Sequence, residues 1–477
     1  MATVQTLRVR SGRGVELGLL LLAVAVGWAS YALVGLGTAG RVPAGALRYG
    51  LGMAAMGLGM HLVLRWRARY ADPVILPVCV AINGIGLAMI YRIDVADHTD
   101  YAAKQLQWTA ISLVLAALVL IVLKDHRTLR RYTYTAMVAG LALLVSPLLP
   151  GIGKAVYGAR IWVHFGSVVQ LQPAELAKIA LAMFFAGYLV TNRDTLALAG
   201  PRVLGMQLPR LRDLGPILVV WVVSVAVLVF QGDLGTSLLL FGLFVAMLYL
   251  ATERVSWVLI GMVLFGVGAW GAAVAIPHVG ARFTIWLHAL DPTVYAKPGG
   301  SWQLVQGLFG LASGGLFGTG WGQGRPEIVT FAQSDFIVTS VGEELGLTGL
   351  VAILLLYAVL TERGLRTAIG VRDGFGKLLT GGLAFVMAFQ VFVVVGGVTR
   401  IIPLTGLTTP LLAYGGSSLL ANWVIVALLL RTSDDARRPT PVAAPPSGPT
   451  PVVPAPGAIP AMPAGDDQPT ERPGGAQ

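Results

Sequence analysis

Five stretches of this 477-residue chain combine residue types that can do chemistry, and each lies beside a long apolar run. In the first, Arg160-Ile-Trp162 is followed by Gln172-Pro-Ala-Glu175-Leu-Ala-Lys178. Pro173 suits the first turn of a helix, where its missing N–H would have no partner. Glu175 and Lys178 then lie three apart on one face, close enough to pair. Two readings of the pair stay open: an ion pair that neutralises two buried charges, or a cavity lining in which Lys178 meets a phosphate. In the second, Gln231-Gly-Asp233-Leu-Gly-Thr236, an Asp precedes a helix, where it can accept free N–H groups at the positive end of the dipole. Capping is the favoured role for Asp233. The third, from Ser313 to Gly324, holds six glycines in twelve residues. It lacks the Gly-Lys-Ser/Thr ending of a P-loop and no strand precedes it, so it excludes a nucleotide site and predicts sharp backbone turns. The fourth runs from Gln333-Ser-Asp335-Phe-Ile-Val into Gly342-Glu343-Glu344-Leu-Gly346, and Asp335 there is either a cap or a general base. The fifth joins Pro403-Leu-Thr-Gly406 to Pro410 and Ala413-Tyr414-Gly-Gly-Ser417-Ser418. Proline and glycine at membrane depth predict a broken helix covered by protein or by a water cavity.

The elements that must position these residues are membrane helices. Hydrophobic residues make up 56% of the chain and charged residues 12%, about half the charge of an ordinary soluble domain. The apolar runs are long enough to cross about 30 Å of hydrocarbon as helices. They do not alternate as barrel strands would. The sequence therefore predicts an all-α polytopic transmembrane bundle of about twelve spans. They lie near 16–37, 47–65, 73–91, 106–123, 133–150, 173–190, 216–230, 233–250, 257–277, 341–360, 378–399 and 408–430. The sixth run is short and starts at a proline, which predicts partial insertion. With the N-terminus in the cytoplasm, most of the 34 Lys and Arg fall in cytoplasmic loops, as the positive-inside rule requires. Both termini are then cytoplasmic, with residues 1–15 as a basic lead. Residues 278–340 form a long outer loop, and 439–477 read as a disordered Pro-rich tail.

Composition also excludes several classes. The net charge of +11 is spread as short clusters between apolar runs, which argues against nucleic acid. The single cysteine, Cys79, sits in an apolar run, which predicts a packed or lipid-facing thiol and rules out a disulfide framework. The six histidines are scattered with no i, i+4 pair, so no metal site is assigned. No internal repeat stands out, which weakens an inverted-repeat transporter.

The five stretches, in this order, resemble the SEDS family (shape, elongation, division and sporulation) from about Arg92 to Arg431. The family's Q-P-S-E-x-A-K is similar to Gln172–Lys178, its Q-P-D-L-G-T to Gln231–Thr236, and its H-T-D-F-I-F…E-E-x-G to Gln333–Val338 with Glu343–Gly346. Its P-x-T-G…P-F-x-x-Y-G-G-S-S is similar to Pro403–Gly406 with Pro410–Ser418. Ala174, Gly232 and Gln333-Ser334 depart from the pattern without removing an ionisable group. The context of Asp335 resembles the elongation-type members of actinobacteria more than the division type. The matching motifs lie in a membrane core at 92–431, and because the usual family core has about ten spans, the resemblance implies two extra helices among the spans of 16–91.

It also implies a bacterial plasma-membrane enzyme that polymerises lipid II into peptidoglycan, paired with a class B penicillin-binding protein that acts as transpeptidase. The family's essential carboxylate falls on Asp335, its cavity pair on Glu175 and Lys178, and a further family position on Arg92. In that reaction a sugar hydroxyl attacks an anomeric carbon while a lipid pyrophosphate leaves. Asp335 is the candidate base. Arg92, Arg160, Lys178 and Arg400 are candidate cations for the pyrophosphate, a role a divalent cation could share. Trp162 borders the substrate region, while Asp233, Glu344, Pro403, Tyr414 and Ser417 are secondary or structural. The alternatives are a lipid II flippase, a division-specific polymerase, a structural scaffold for wall synthesis and an ion channel.

Overall fold

The structure is a computed structural model that describes residues 11–156, 159–165, 169–193, 202–203, 206–207 and 211–439. The chain divides into two units, Met1–Arg438 and Pro439–Gln477. The expected basic lead lies mostly, and the expected tail almost wholly, outside the described residues.

In the first unit each apolar run forms a helix. They are α1 (Arg13–Ala39), α2 (Ala46–Arg67), α3 (Ile75–Asp97), α4 (Tyr101–Val122), α5 (Thr133–Val145), α6 (Pro173–Thr191), α7 (Leu211–Gln231), α8 (Leu234–Thr252) and α9 (Val255–Ala275). Three short helices follow, α10 (Pro277–Leu287), α11 (Pro292–Tyr295) and α12 (Trp302–Gly314). The last three are α13 (Ile337–Gly370), α14 (Gly374–Val398) and α15 (Gly416–Arg437).

Among the described residues ten of these helices are long and apolar enough to cross a membrane. The protein is an all-α polytopic membrane protein. Two of the twelve expected spans fall short. α5 has 13 residues, because Ser146-Pro147 turns the chain into a 3-10 segment. The apolar part of α7, Leu218–Gln231, is also short. α6, expected to insert only partly, has the length and apolar character of a full span.

Two expectations change in detail. The connection between α5 and α6 folds into a small antiparallel sheet of β1 (Gly153–Val156), β2 (Ala159–Phe165) and β3 (Val169–Leu171). The long loop at 278–340 is partly helical, and α13 already begins at Ile337. α13 is kinked at Gly346, whose φ of 68° few residues with a Cβ adopt.

The helices at the centre are α3, α6, α14 and α15, with α3 and α15 buried over 83% of their most apolar stretch. α9 is the opposite case, only 6% buried, so its apolar surface faces outward on nearly every side. Cys79 is fully buried on α3. α1 packs along α3, and Tyr31 stacks on Tyr49 of α2 and Tyr91 of α3 at 4.4 and 4.1 Å. At the far end of α1, Arg13 pairs with Glu16, and Glu16 Oε1 lies 2.6 Å from His61 Nδ1. All three are buried, and a charge taken out of water needs such partners.

Candidate functional site

The site is built around an interruption. Between α14 and α15 the chain runs irregularly from Thr399 to Gly415, where Pro403 and Pro410 lack the N–H a helix needs. Irregular backbone inside a bundle leaves carbonyls without partners unless side chains reach them. Here they do. Thr408 O accepts from Gln390 Nε2 at 2.9 Å, Leu411 O from Asn83 Nδ2 at 3.0 Å, and Ala413 O from Gln105 Nε2 at 3.0 Å. Pro410 O accepts from the Tyr357 hydroxyl, and Leu404 O from Arg282 Nη1 at 2.8 Å. The Tyr414 amide donates to Gln333 O at 2.8 Å, which ties the segment to the strand of chain that carries Asp335.

Joined to this segment through Gln390 is a cluster of paired polar groups. Lys178 Nζ donates to Glu175 Oε2 at 2.6 Å and to Gln390 Oε1 at 2.9 Å, and the lysine is 1% exposed. Asp233 caps α8, accepting from the Thr236 amide at 2.9 Å and the Thr236 hydroxyl at 2.8 Å. Gln172 bridges the helices: its amide donates to Ser417 Oγ at 2.8 Å and its side chain to Asp233 Oδ2 at 3.2 Å. Glu175 with Lys178, and Asp233 with Ser417, therefore form two buried hydrogen-bonded groups, with Glu175 within electrostatic reach of Asp233.

Asp335 sits differently. It precedes α13, half-buried, in the wall of a cavity of about 780 Å³ beneath α10–α12. Arg282, Lys297, His278 and Tyr295 line the same space, with Leu404 and Gly406 closing it. Ser334 Oγ donates to Asp335 Oδ1 at 3.1 Å. Surrounding protein disfavours the charged form more than that bond favours it, so burial pushes the carboxyl up to about 6. The Arg282 guanidinium is within electrostatic reach of both Asp335 and Asp233, which links the cavity to the network below.

The remaining residues singled out by sequence lie elsewhere. Arg92, buried at the end of α3, donates to Glu344 Oε1 at 2.7 Å and to Gly324 O at 2.7 Å, with Glu327 at 3.6 Å. Glu344 Oε2 accepts from the Gly322 amide at 2.9 Å, so Arg92 and Glu344 together clasp the glycine-rich loop. Arg400 donates to the carbonyls of Trp286 and Leu287, at the end of α10, at 2.7 and 2.8 Å. Cations favour the negative end of a helix. Arg160 is exposed and Trp162 half-buried on β2.

Sequence reasoning missed Arg282. Its only signal was a lone arginine on a short amphipathic helix, and its partner in the cavity lies 53 positions away. For a cation, one trio of donors converges among the described residues: His126, Asp373 and Asp435. Arg127 already pairs with both of those carboxylates at 3.3 Å, and the carboxylates near the cavity form no such group.

Against known proteins, residues 73–438 match the family model FtsW/RodA/SpoVE, described as cell cycle protein. The peptidoglycan glycosyltransferase RodA of Mycobacterium tuberculosis strain H37Rv is 48% identical over 435 residues, which cover 90% of this chain and 92% of that protein. The crystal structure of the Thermus thermophilus rod shape determining protein RodA matches at a TM-score of 0.53 and 25% identity, covering 77% of this chain and 98% of that one. A chain of a peptidoglycan synthase complex, solved to show how polymerization and crosslinking are coordinated, matches at a TM-score of 0.61 and 24% identity. That match covers 77% of this chain and 99% of the other. Matched over most of its length, this chain belongs to the FtsW/RodA/SpoVE family of cell cycle proteins.

Proposed function

We propose that Asp335 is the general base of the reaction this chain carries out as a peptidoglycan glycosyltransferase of the rod-shape-determining, RodA type. The protein is a multi-pass membrane enzyme. The observation that carries the assignment is the shared cavity. Asp335, its pKa raised by burial, and Arg282 both line it, which supports pairing a base with a cation there. A base serves best when its pKa lies near the working pH, and one positioned carboxylate contributes about 10²–10⁴-fold. In the proposed step an Asp335 oxygen takes the proton of the attacking sugar hydroxyl as the new C–O bond forms at the anomeric carbon. The bond to the lipid pyrophosphate breaks, and its oxygen leaves with the electron pair.

The leaving pyrophosphate needs a fixed positive charge in water-poor surroundings. Arg282 is the cation we assign to it. It lines the cavity while giving Nη1 to Leu404 O, whereas Lys178, Arg92 and Arg400 hold protein oxygens away from the cavity lining. Basic loop residues support twelve crossings with both termini in the cytoplasm, which puts the cavity on the outer face. A class B penicillin-binding protein is the proposed partner, and the likeness to a chain from a synthase complex supports looking for one.

The test is a lipid II polymerisation assay on purified protein with its partner, comparing Arg282→Gln and Arg282→Lys with the unaltered chain. Loss of a charge-assisted hydrogen bond costs about 1.5–3 kcal/mol, so Gln should lower kcat/KM by about 10–150-fold. Lys should recover part of it. Unchanged kcat/KM in Arg282→Gln would remove the arginine from the site. Lipid II crossing liposome membranes with no polymer formed would replace the enzyme by a flippase.

A further inference from the structure

We infer that α1, which precedes the family-matched region, is a positioning element for the reaction, acting through a backbone contact between Gly37 and the glycine-rich loop. This rests on the reading of Asp335 as the base. The family match begins at residue 73, so α1 lies before it. Near its C-terminal end α1 meets Trp321-Gly322-Gln323. A Cβ built on Gly37 would sit 1.8 Å from Trp321 O, and one on Gly322 would meet Thr38 N and Cγ2 at 2.9 Å. The two backbones touch with no room for a side chain between them. Gln323 Nε2 donates to Gly37 O at 2.6 Å and fastens the contact.

From this contact a continuous set of bonds leads to the kink of α13, at Glu343–Thr348. The Gly322 amide and Gly324 carbonyl are held by Glu344 and Arg92. The Arg325 amide donates to Glu343 Oε1 at 2.7 Å. Thr319 and Gly320 amides donate to Glu343 O and Glu344 O at 3.0 and 2.9 Å, and Leu347 and Thr348 amides donate back to Gly315 O and Leu316 O, both at 3.0 Å. The loop is thus stitched across the Gly346 kink on both sides. Asp335 stands two residues before α13, whose first two turns run from Ile337 to Glu343. α1 is itself anchored by the tyrosine stack and by the buried Arg13–Glu16–His61 group. It therefore provides a fixed wall against which the loop, the kink and Asp335 are set.

Gly37→Ala tests this with one methyl group. In an isolated helix the change is favourable, because alanine is the better helix former. Against the loop it is a collision. The readouts are steady-state polymerisation of lipid II and amide hydrogen exchange over 315–348 in the full-length protein with its partner. Gly18→Ala, on the same helix with nothing within 4 Å of its Cβ, is the control. We expect Gly37→Ala to lower kcat by about 10–100-fold with KM within about twofold, since small misplacements of a reacting group cost that much. Exchange over the loop and the kink should rise, and Gly18→Ala should leave both readouts unchanged. Unchanged exchange overturns the buttress itself. Raised exchange with unchanged kcat overturns its role in positioning. If Gly37→Ala does not fold, Gln323→Ala replaces it, with kcat expected to fall about 3–10-fold and no change overturning the proposal. An active Asp335→Asn would sink the base assignment while leaving the coupling of α1 to the loop measurable by exchange.

Discussion

Two polar regions of this bundle, the groups around Lys178 and Asp233 (the lower region) and the cavity around Asp335 (the upper region), are finished to different degrees. In the lower one, Lys178 is neutralised by Glu175, Gln390 takes the next proton, and Gln172 bridges Asp233 to Ser417. In the upper one, Asp335 has the neighbouring Ser334 hydroxyl and the field of Arg282, Arg282 gives one donor to Leu404 O, and both residues line open volume. Both regions are rich in charge, so charge alone does not separate them. A network whose members hold one another fixes helices in place and has little left to offer a substrate. Groups with donors and lone pairs turned to a cavity can still bind and move protons. The difference teaches that buried charge marks importance, while unfinished bonding beside a cavity marks chemistry.

The largest expected effect lies in the upper region. Asparagine keeps the shape of Asp335 but accepts no proton at neutral pH. Asp335→Asn should lower polymer formation by about 10²–10⁴-fold with no loss of Tm. Substantial polymer from that form would erase the contrast and turn attention to Asp233 and Glu344.

Next in size is the lower region, where the expected loss is in stability. Lys178→Met leaves Glu175 buried without its cation, which typically costs about 3–5 kcal/mol. Adding Glu175→Leu should return much of the lost Tm. If instead activity collapses in the double variant while Tm recovers, Lys178 belongs with the chemistry and the comparison must be redrawn.

The smallest effect is in pH dependence. Activity should rise with the carboxylate form of Asp335 and half-titrate near pH 6. Stability should move the other way. The folded value is raised above the ordinary 3.8, so this group's contribution is present at low pH and is lost as pH rises from about 4 through about 6. Asp335→Asn should abolish that step in Tm. A polymerisation profile flat between pH 5 and 7 would contradict the environment assigned to Asp335.

Much of this was legible in residue order. Apolar runs of helix length predicted the membrane class, since no other fold needs them. Pro173 predicted the start of α6, and Glu175 with Lys178 predicted their pairing, because i, i+3 neighbours meet on any helix. Asp233 before Leu-Gly-Thr predicted a cap, and the Asp335 motif marked its carboxylate before any geometry was known. These are local rules, and local rules survive without a tertiary structure. What they could not supply is which distant groups meet. Arg92 turns from a candidate for phosphate into the clasp of a loop because Glu344 lies 252 positions later in the chain yet 2.7 Å away. Gln390 reaches Lys178 from another helix, and Asn83, Gln105 and Tyr357 converge on one broken segment. Arg282, unremarkable on its own helix, gains its meaning only from the cavity it shares with Asp335. Sequence periodicity encodes which face of a helix is polar. Which polar face meets which is decided by how the helices pack.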